Sequence, residues 1–370
     1  MKRRTVDIAA FVALVRAGLW EREASLAPFK GASMAEVYRL AQEQTVTGLV
    51  YAGLKRLTDT SVTEEELQPF KADVENTEQN NFVMDHFIGV MAEKMMESGI
   101  RLVLIKGQGI AQCYERPMWR SSGDVDLLLD DDNFAKAKDF LLPLSSNVDL
   151  EGEAEKHIGL FINPWEVELH GNLSFGLSSR IDKELSGIQK DILNGRDIRY
   201  WHNGNTAIPL PGAGSDIVFV FTHVLKHFFK LGIGLRQICD WCRLVWTYRN
   251  EIDRPLLEKR LRRMGLMTEW KAFACLAVNV FGMPAEAMPL YSSSLRWRPK
   301  ARRILSLVLE YGNFGQNRDN SYYQKTPFLV RKAISLWRHT WDFLRQFFIF
   351  PVDSVRAWRI MLKVGLNNLG

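Results

Sequence analysis

The sequence predicts an α+β fold, with a small mixed β-sheet core over residues 100–210 flanked by helical regions at 1–99 and 211–370. Three patterns lead there. Apolar residues in the first hundred positions recur at helical spacing, beginning with Ile8, Phe11, Val12, Val15 and Leu19. From Gly99 to about residue 210, short apolar runs bounded by turn residues alternate with helical stretches. Beyond residue 213 the long helical pattern returns. A chain of 370 residues exceeds one ordinary domain and suggests two or three. With 46% hydrophobic and 25% charged residues, the mixture is globular and excludes a disordered or fibrous protein.

The stretch SMAEVYRLAQEQTVTGLVYAGLKRL opens a helix at Ser33, with Glu36 at capping-box spacing. A long helix begins near Thr63 and stops at Gly99. IRLVLIKG is a buried-strand signal, QGIAQCYERP a short helix stopped by Pro117, and DVDLLL a second strand. Asp130, Asp131 and Asp132 start the next helix, where the helix dipole favours acids. KHIGLFIN and WEVELHG are two strands joined at a turn signal, Asn163-Pro164. SDIVFVFTHVLKHFFK and LRQICDWCRLVWTYRN are helices joined near Gly232–Gly234, and the aromatic C-terminal helices break at Pro351.

The net charge of +5 is unevenly spread: residues 296–370 carry 14 Lys/Arg and 4 Asp/Glu, hence +10, which leaves −5 for the rest. That asymmetry suits a solvated helix face, or an anionic membrane surface touched through Arg338, Arg345, Arg356, Arg359 and the aromatics Trp337, Trp341, Phe347, Phe348 and Trp358. Packing as the last core helices is the competing expectation for these aromatics. No nucleic-acid reading motif accompanies them. Four cysteines are too few for a disulfide framework and fit a reducing compartment, and Cys239-x-x-Cys242 reads as core packing. The first residues imitate a signal peptide, but Asp7 and Arg16 interrupt the apolar run, so an amphipathic helix and a cytoplasmic location are expected.

The chemistry concentrates around GDVDLLL. Alternate side chains of a strand share a face, so Asp124 and Asp126 point one way while Val125, Leu127 and Leu129 point to the core. Residues two apart rise about 6.6 Å along a strand, so both carboxylates can converge on one divalent ion or bracket two ions about 3.5–4 Å apart. WEVELHG puts Glu166 and Glu168 on one face, and Glu168 supplies a third carboxylate if the strands are neighbours. Such hard oxygen donors suit Mg²⁺ or Mn²⁺, which complete their shells with water and phosphate. Upstream, Lys106, Gly107 and Gly109 run from strand into helix, where glycine lets backbone amides approach an anion. Arg120 can add a fork-shaped phosphate clamp, and His170 shares the face of Glu168. His223 and His227 sit four apart on one helix, with Lys226 beside them, and read as a polar cleft wall rather than a zinc site.

Through LIKGQGIAQCYERPMWRSSGDVDLLL and VELHGNL, the chain resembles the DNA polymerase beta-like nucleotidyltransferase superfamily, and within it the uncharacterised bacterial group with a Lys-Gly phosphate loop. The resemblance covers roughly 75 residues well. Here Lys106-Gly107 stands where many relatives have Gly-Ser, and Glu168 where many have Asp. It implies transfer of a nucleoside monophosphate from an NTP, such as ATP, to a small-molecule, glycan or protein acceptor, with release of pyrophosphate. Asp124, Asp126 and Glu168 would be catalytic and bind metal. Lys106, Gly107, Gly109, Arg120, Ser122 and His170 would bind nucleotide, with His223, Arg236 and Asp240 facing the pocket from the helical region. Two other readings stand beside this one: a nucleotide-sugar glycosyltransferase with an Asp-x-Asp metal motif, and a non-catalytic binding protein that keeps the fold.

Overall fold

A computed structural model describes residues 2–59, 62–149, 156–174, 176–230, 232–317 and 326–367. The N-terminal part contains α1 (Lys2–Leu19), α2 (Met34–Glu43), α3 (Thr47–Leu54) and α4 (Glu64–Glu97). Then follow β1 (Val103–Ile105), α5 (Gly107–Ala111), β2 (Val125–Leu128), α6 (Asp131–Leu141), β3 (Asn147–Asp149), β4 (His157–Ile162), β5 (Trp165–His170), α7 (Ser179–Leu193), β6 (Ile198–Asn203) and β7 (Thr206–Pro211). The remainder is helical: α8 (Ala213–Lys230), α9 (Leu235–Thr247), α10 (Arg254–Met264), α11 (Met267–Asn279), α12 (Trp297–Tyr311), α13 (Phe328–Phe347) and α14 (Pro351–Asn367).

The main sheet has the order β1-β2-β5-β4-β3, with β6 and β7 forming a separate hairpin. It is mixed, as expected: β2 and β5 are parallel, and the other pairs are antiparallel. Two apolar clusters hold the molecule. In one, Val125, Leu127, Leu129, Val167 and Leu169 pack with Met84, Ile88 and Met95 of α4, Phe134 of α6, and Ile208 and Leu210 of β7. In the other, residues of α1 to α3 and of α7 to α12 pack together, joined by Val103, Ile105 and Leu128 from the sheet. The two helical regions therefore share a core. At 34 residues, α4 runs about 50 Å and reaches both clusters through Phe70 at one end and Met95 at the other.

The helix starts follow the local code. Thr63 and Glu66 form a reciprocal capping box at α4. Asp130 caps α6 by accepting from the Asn133 amide at 2.9 Å. At α2, Ser33 accepts from the Glu36 amide, but the Ser33 amide donates to Asp7 of α1 rather than to Glu36. This contact accounts for a buried carboxylate in the apolar N-terminal run.

Several expectations need correction. The stretch after Ser33 is two helices, broken where Thr45 has a positive φ of 52°. The break buries Gln44, whose side-chain oxygen accepts from the Leu235 amide at 3.0 Å and whose amide nitrogen donates to Val308 O at 3.2 Å. A tertiary contact thus overrides helix continuity. The acid face of β2 is also drier than alternation implies. Asp126 is 1% exposed, and Leu128, on the same face, belongs to the larger cluster, because the helical regions cover this side. Cys239 and Cys242 are buried in that cluster as expected. The C-terminal aromatics divide: Phe350 is buried and Trp358 stacks on Phe343, whereas Trp337, Trp341 and Phe348 are exposed. No described helix is long and apolar enough to cross a membrane.

Candidate active site

The turn from β1 into α5 builds the first wall. Lys106 is the N-cap, at φ 58° and ψ −143°, backbone space an L-residue rarely adopts. Gly107 follows at φ 39°, and a Cβ there would come within 3.4 Å of Asp124 O. The tight turn carries Lys106 over the start of β2. Its Nζ lies 2.5 Å from Asp126 Oδ1.

The sheet register assembles the carboxylates. Asp126 pairs directly with Glu168 across the parallel β2–β5 ladder. Asp124 stands one residue before β2, and donor oxygens of Asp124, Asp126 and Glu168 all lie within 4.8 Å of one another. His170 Nε2 sits 2.7 Å from Asp126 Oδ1 and 3.2 Å from Glu168 Oε2. His157, paired with His170 across β4–β5, reaches the same Glu168 oxygen at 3.2 Å.

Charge in this centre is tightly balanced. The neighbouring Asp126, then burial, holds the Asp124 carboxyl above its ordinary pKa. Burial opposes ionisation of Glu168, but contacts from His157 and His170 outweigh it and keep that carboxyl low. Burial likewise opposes the charges on Lys106 and His170. Asp126, Asp124 and Glu168 hold the lysine pKa up, and hydrogen bonds to Asp126 and Glu168 hold the histidine up. Removing one partner from a buried pair such as Lys106–Asp126 leaves an uncompensated charge, a loss of about 3–5 kcal/mol.

A second set of groups fixes the loop before β2. Arg120 closes its fork on Asp240 of α9, with both N–O distances 2.8 Å, and Tyr114 OH donates to the same carboxylate at 2.7 Å. Asn81 of α4 donates to Met118 O and Arg120 O at 2.8 Å each. Ser122 donates to Gln108 Oε1 at 2.6 Å, and Gln108 donates in turn to Asp85 of α4, whose pKa burial pushes up to about 6. Arg236 donates through Nη1 to Ser121 O at 2.7 Å, while its buried Nε has no hydrogen-bond partner. Burial, then the nearby Arg120, lowers the Arg236 pKa.

These elements enclose two connected spaces. A cavity of about 390 Å³ is lined by Lys106, Asp124, Glu168, His170 and His157 from the sheet side, and by His223, Lys226 and His227 from α8. A narrower space of about 60 Å³ shares Lys106, Asp124 and His223 and adds Gly107, Asp126, Arg120, Arg236 and Asp240. Ten of the twelve expected site residues therefore line one space or the other. Gly109 lies instead against Leu210 of β7, where a Cβ would come within 2.8 Å, and Ser122 turns to Gln108. His157, Asn81, Asp85 and Gln108 are additions from the structure. His157 is recoverable from hairpin arithmetic, since a turn at Asn163-Pro164 pairs residue 157 with 170. The other three join through long-range contacts that leave no local pattern.

Oxygen donors dominate the Asp124–Asp126–Glu168 cluster, so its chemistry fits a hard divalent ion. Three convergent carboxylates on adjacent strands, beside a Lys-Gly turn at a helix start, define the class as an α+β protein with a nucleotidyltransferase-type centre. Comparison with known families agrees: the model described as an uncharacterised nucleotidyltransferase matches residues 30–282, and the chain belongs to that family. No curated protein and no solved structure matches the chain. The matched span contains every residue lining the two spaces except Phe314, and all twelve expected site residues fall within it.

Proposed function

We propose that the protein is a metal-dependent nucleotidyltransferase that moves a nucleoside monophosphate from an NTP, such as ATP, to an acceptor and releases pyrophosphate. The carrying observation is the convergence of Asp124, Asp126 and Glu168 within 4.8 Å, beside the Lys106–Gly107 turn. In the reaction an acceptor oxygen attacks the α-phosphorus, the bond to the bridging oxygen breaks, and pyrophosphate leaves with the electron pair. Asp124, Asp126 and Glu168 would hold Mg²⁺ or Mn²⁺, which supplies charge neutralisation of the triphosphate and a more acidic acceptor hydroxyl.

The chain's own groups complete the chemistry. Lys106 offers a partly buried ammonium where its turn lines the narrower space, within reach of a phosphate bound there. Arg236 offers a guanidinium whose Nε lacks a partner, and a phosphate oxygen would satisfy it. Arg120 acts through position, since its fork is taken by Asp240. Glu168, which lines the larger cavity, would hold a second ion or take the acceptor's proton. The acceptor is a small molecule, a glycan or a protein. Four free, buried cysteines support work in the cytoplasm.

Titration with ATP, GTP, CTP and UTP in Mg²⁺ or Mn²⁺, followed by a pyrophosphate-release screen against cell extract, tests this reading. At least one NTP should bind only with metal, and Asp126→Asn should abolish that binding. Equal binding by a folded Asp126→Asn protein would sink the proposal. Preference for a nucleotide sugar as donor would instead favour glycosyl transfer.

A further inference from the structure

The larger cavity holds ligand chemistry beyond its two carboxylates, Asp124 and Glu168, and its two lysines, Lys106 and Lys226. Four of the chain's seven histidines line it: His157, His170, His223 and His227. His223 and His227 face each other on α8, with their Nε2 atoms 3.0 Å apart. The other two converge on a single atom. His157 Nε2 and His170 Nε2 each lie 3.2 Å from Glu168 Oε2, and donor atoms of all three residues fall within 4.8 Å of one another.

That separation has a chemical meaning. A tetrahedral ion with bonds of about 2.0–2.1 Å to nitrogen and oxygen keeps its donors about 3.3 Å apart. Both N–O edges of the trio match this spacing. Imidazole is a borderline donor that suits zinc and its first-row neighbours, whereas carboxylate and water suit Mg²⁺. The strand register supplies the preorganisation, because His157 pairs with His170, and Glu168 shares their face two residues away.

We propose that His157, His170 and Glu168 form a binding site for a divalent first-row transition ion, with Zn²⁺ the best match to two nitrogens and one oxygen. It adjoins the Asp124–Asp126 position and shares Glu168 with it. Three protein ligands leave a fourth position open, the pattern of a catalytic rather than a closed structural zinc. Here the open position faces the cavity of about 390 Å³. Arg236, the arginine offered to a phosphate oxygen, lies on the narrower side, so the ion would meet the acceptor's oxygen. This role in the reaction rests on the nucleotidyltransferase reading, whereas the site itself does not.

The test uses the full chain, stripped with chelator and then titrated with Zn²⁺ by calorimetry and with Co²⁺ by visible absorption, without nucleotide. One equivalent of Zn²⁺ is expected, together with the intense Co²⁺ bands of tetrahedral nitrogen ligation. His157 is 46% exposed at the side chain, so His157→Ala should unfold at the wild-type temperature yet weaken Zn²⁺ binding at least about ten-fold. Asp124→Asn should keep Zn²⁺ binding. The proposal is overturned if Zn²⁺ does not bind stoichiometrically, which leaves a hydrogen-bonded His–Glu–His cluster. It is also overturned if His157→Ala binds as tightly as wild type, or if Asp124→Asn alone abolishes binding. A chain that binds Zn²⁺ at His157 but no NTP would uphold this site and defeat the nucleotide reading.

Discussion

The two faces of strands β2 and β5 lie a side chain apart and are built on different physics. One carries Val125, Leu127, Leu129, Val167 and Leu169 into a dry cluster closed by α4 and α6. The other carries Asp126, Glu168 and His170, with Asp124 and Lys106 beside them, under α8. Both faces are covered. On the first, covering is the source of stability, through apolar area removed from water. On the second, covering raises the energy of every charge, and the charges persist because they are paired. Burial alone thus does not mark a structural residue in this protein. What sets the charged face apart is burial combined with convergent charge and open volume.

The comparison breaks most sharply at Asp126. Asp126→Ala should lower metal-dependent nucleotide binding about a hundred-fold or more and leave Lys106 buried without its partner, at a stability loss of about 3–5 kcal/mol. Nucleotide titration and denaturant unfolding read the two effects separately. One position along, Leu127→Ala should cost about 2–5 kcal/mol of stability. Nucleotide affinity of its folded fraction should stay at the wild-type value. Should Leu127→Ala lose binding while staying folded, the division between the faces would fail.

A smaller effect probes how α4 holds the loop of the charged face. Gln108→Ala should leave Asp85 without its side-chain partner and free Ser122, at about 1–3 kcal/mol. Weakened nucleotide binding beyond the stability loss would show that the relay positions the loop. The smallest effect is a control remote from both faces. Glu269 of α11 is buried, and burial, then Asp353 of α14, pushes its carboxyl up to about 8. The folded state therefore holds a proton that the unfolded chain releases near the usual carboxylate pKa. Stability from this group is full below that range and falls as pH rises toward about 8. Glu269→Gln should flatten this slope, so that its stability relative to wild type is higher at pH 8 than at pH 5. Thermal unfolding at the two pH values measures it, and nucleotide binding should not follow it.

Much of the site is legible in short stretches of chain. The alternation of DVDLLL assigns Asp124 and Asp126 to one face and the leucine neighbours to the other, because side-chain direction along a strand has a period of two. The Lys106–Gly107 turn, the caps at Thr63 and Asp130, and the acid face of WEVELH are local in the same sense. The β6–β7 hairpin is harder to read, since Pro209 and Pro211 demote its second strand despite the turn at Gly204.

The sequence by itself determined the α+β order of elements, the acids and the face they share, since each follows from propensity and periodicity within a few residues. Only the tertiary structure decided that Glu168 stands opposite Asp126, that Arg120 spends its fork on Asp240, and that His157 meets His170 over one carboxylate oxygen. The longest of those contacts joins residues 120 positions apart. Strand register and helix docking choose such partners by burying the most apolar surface with the fewest unpaired charges, a property of the whole chain that no local stretch encodes.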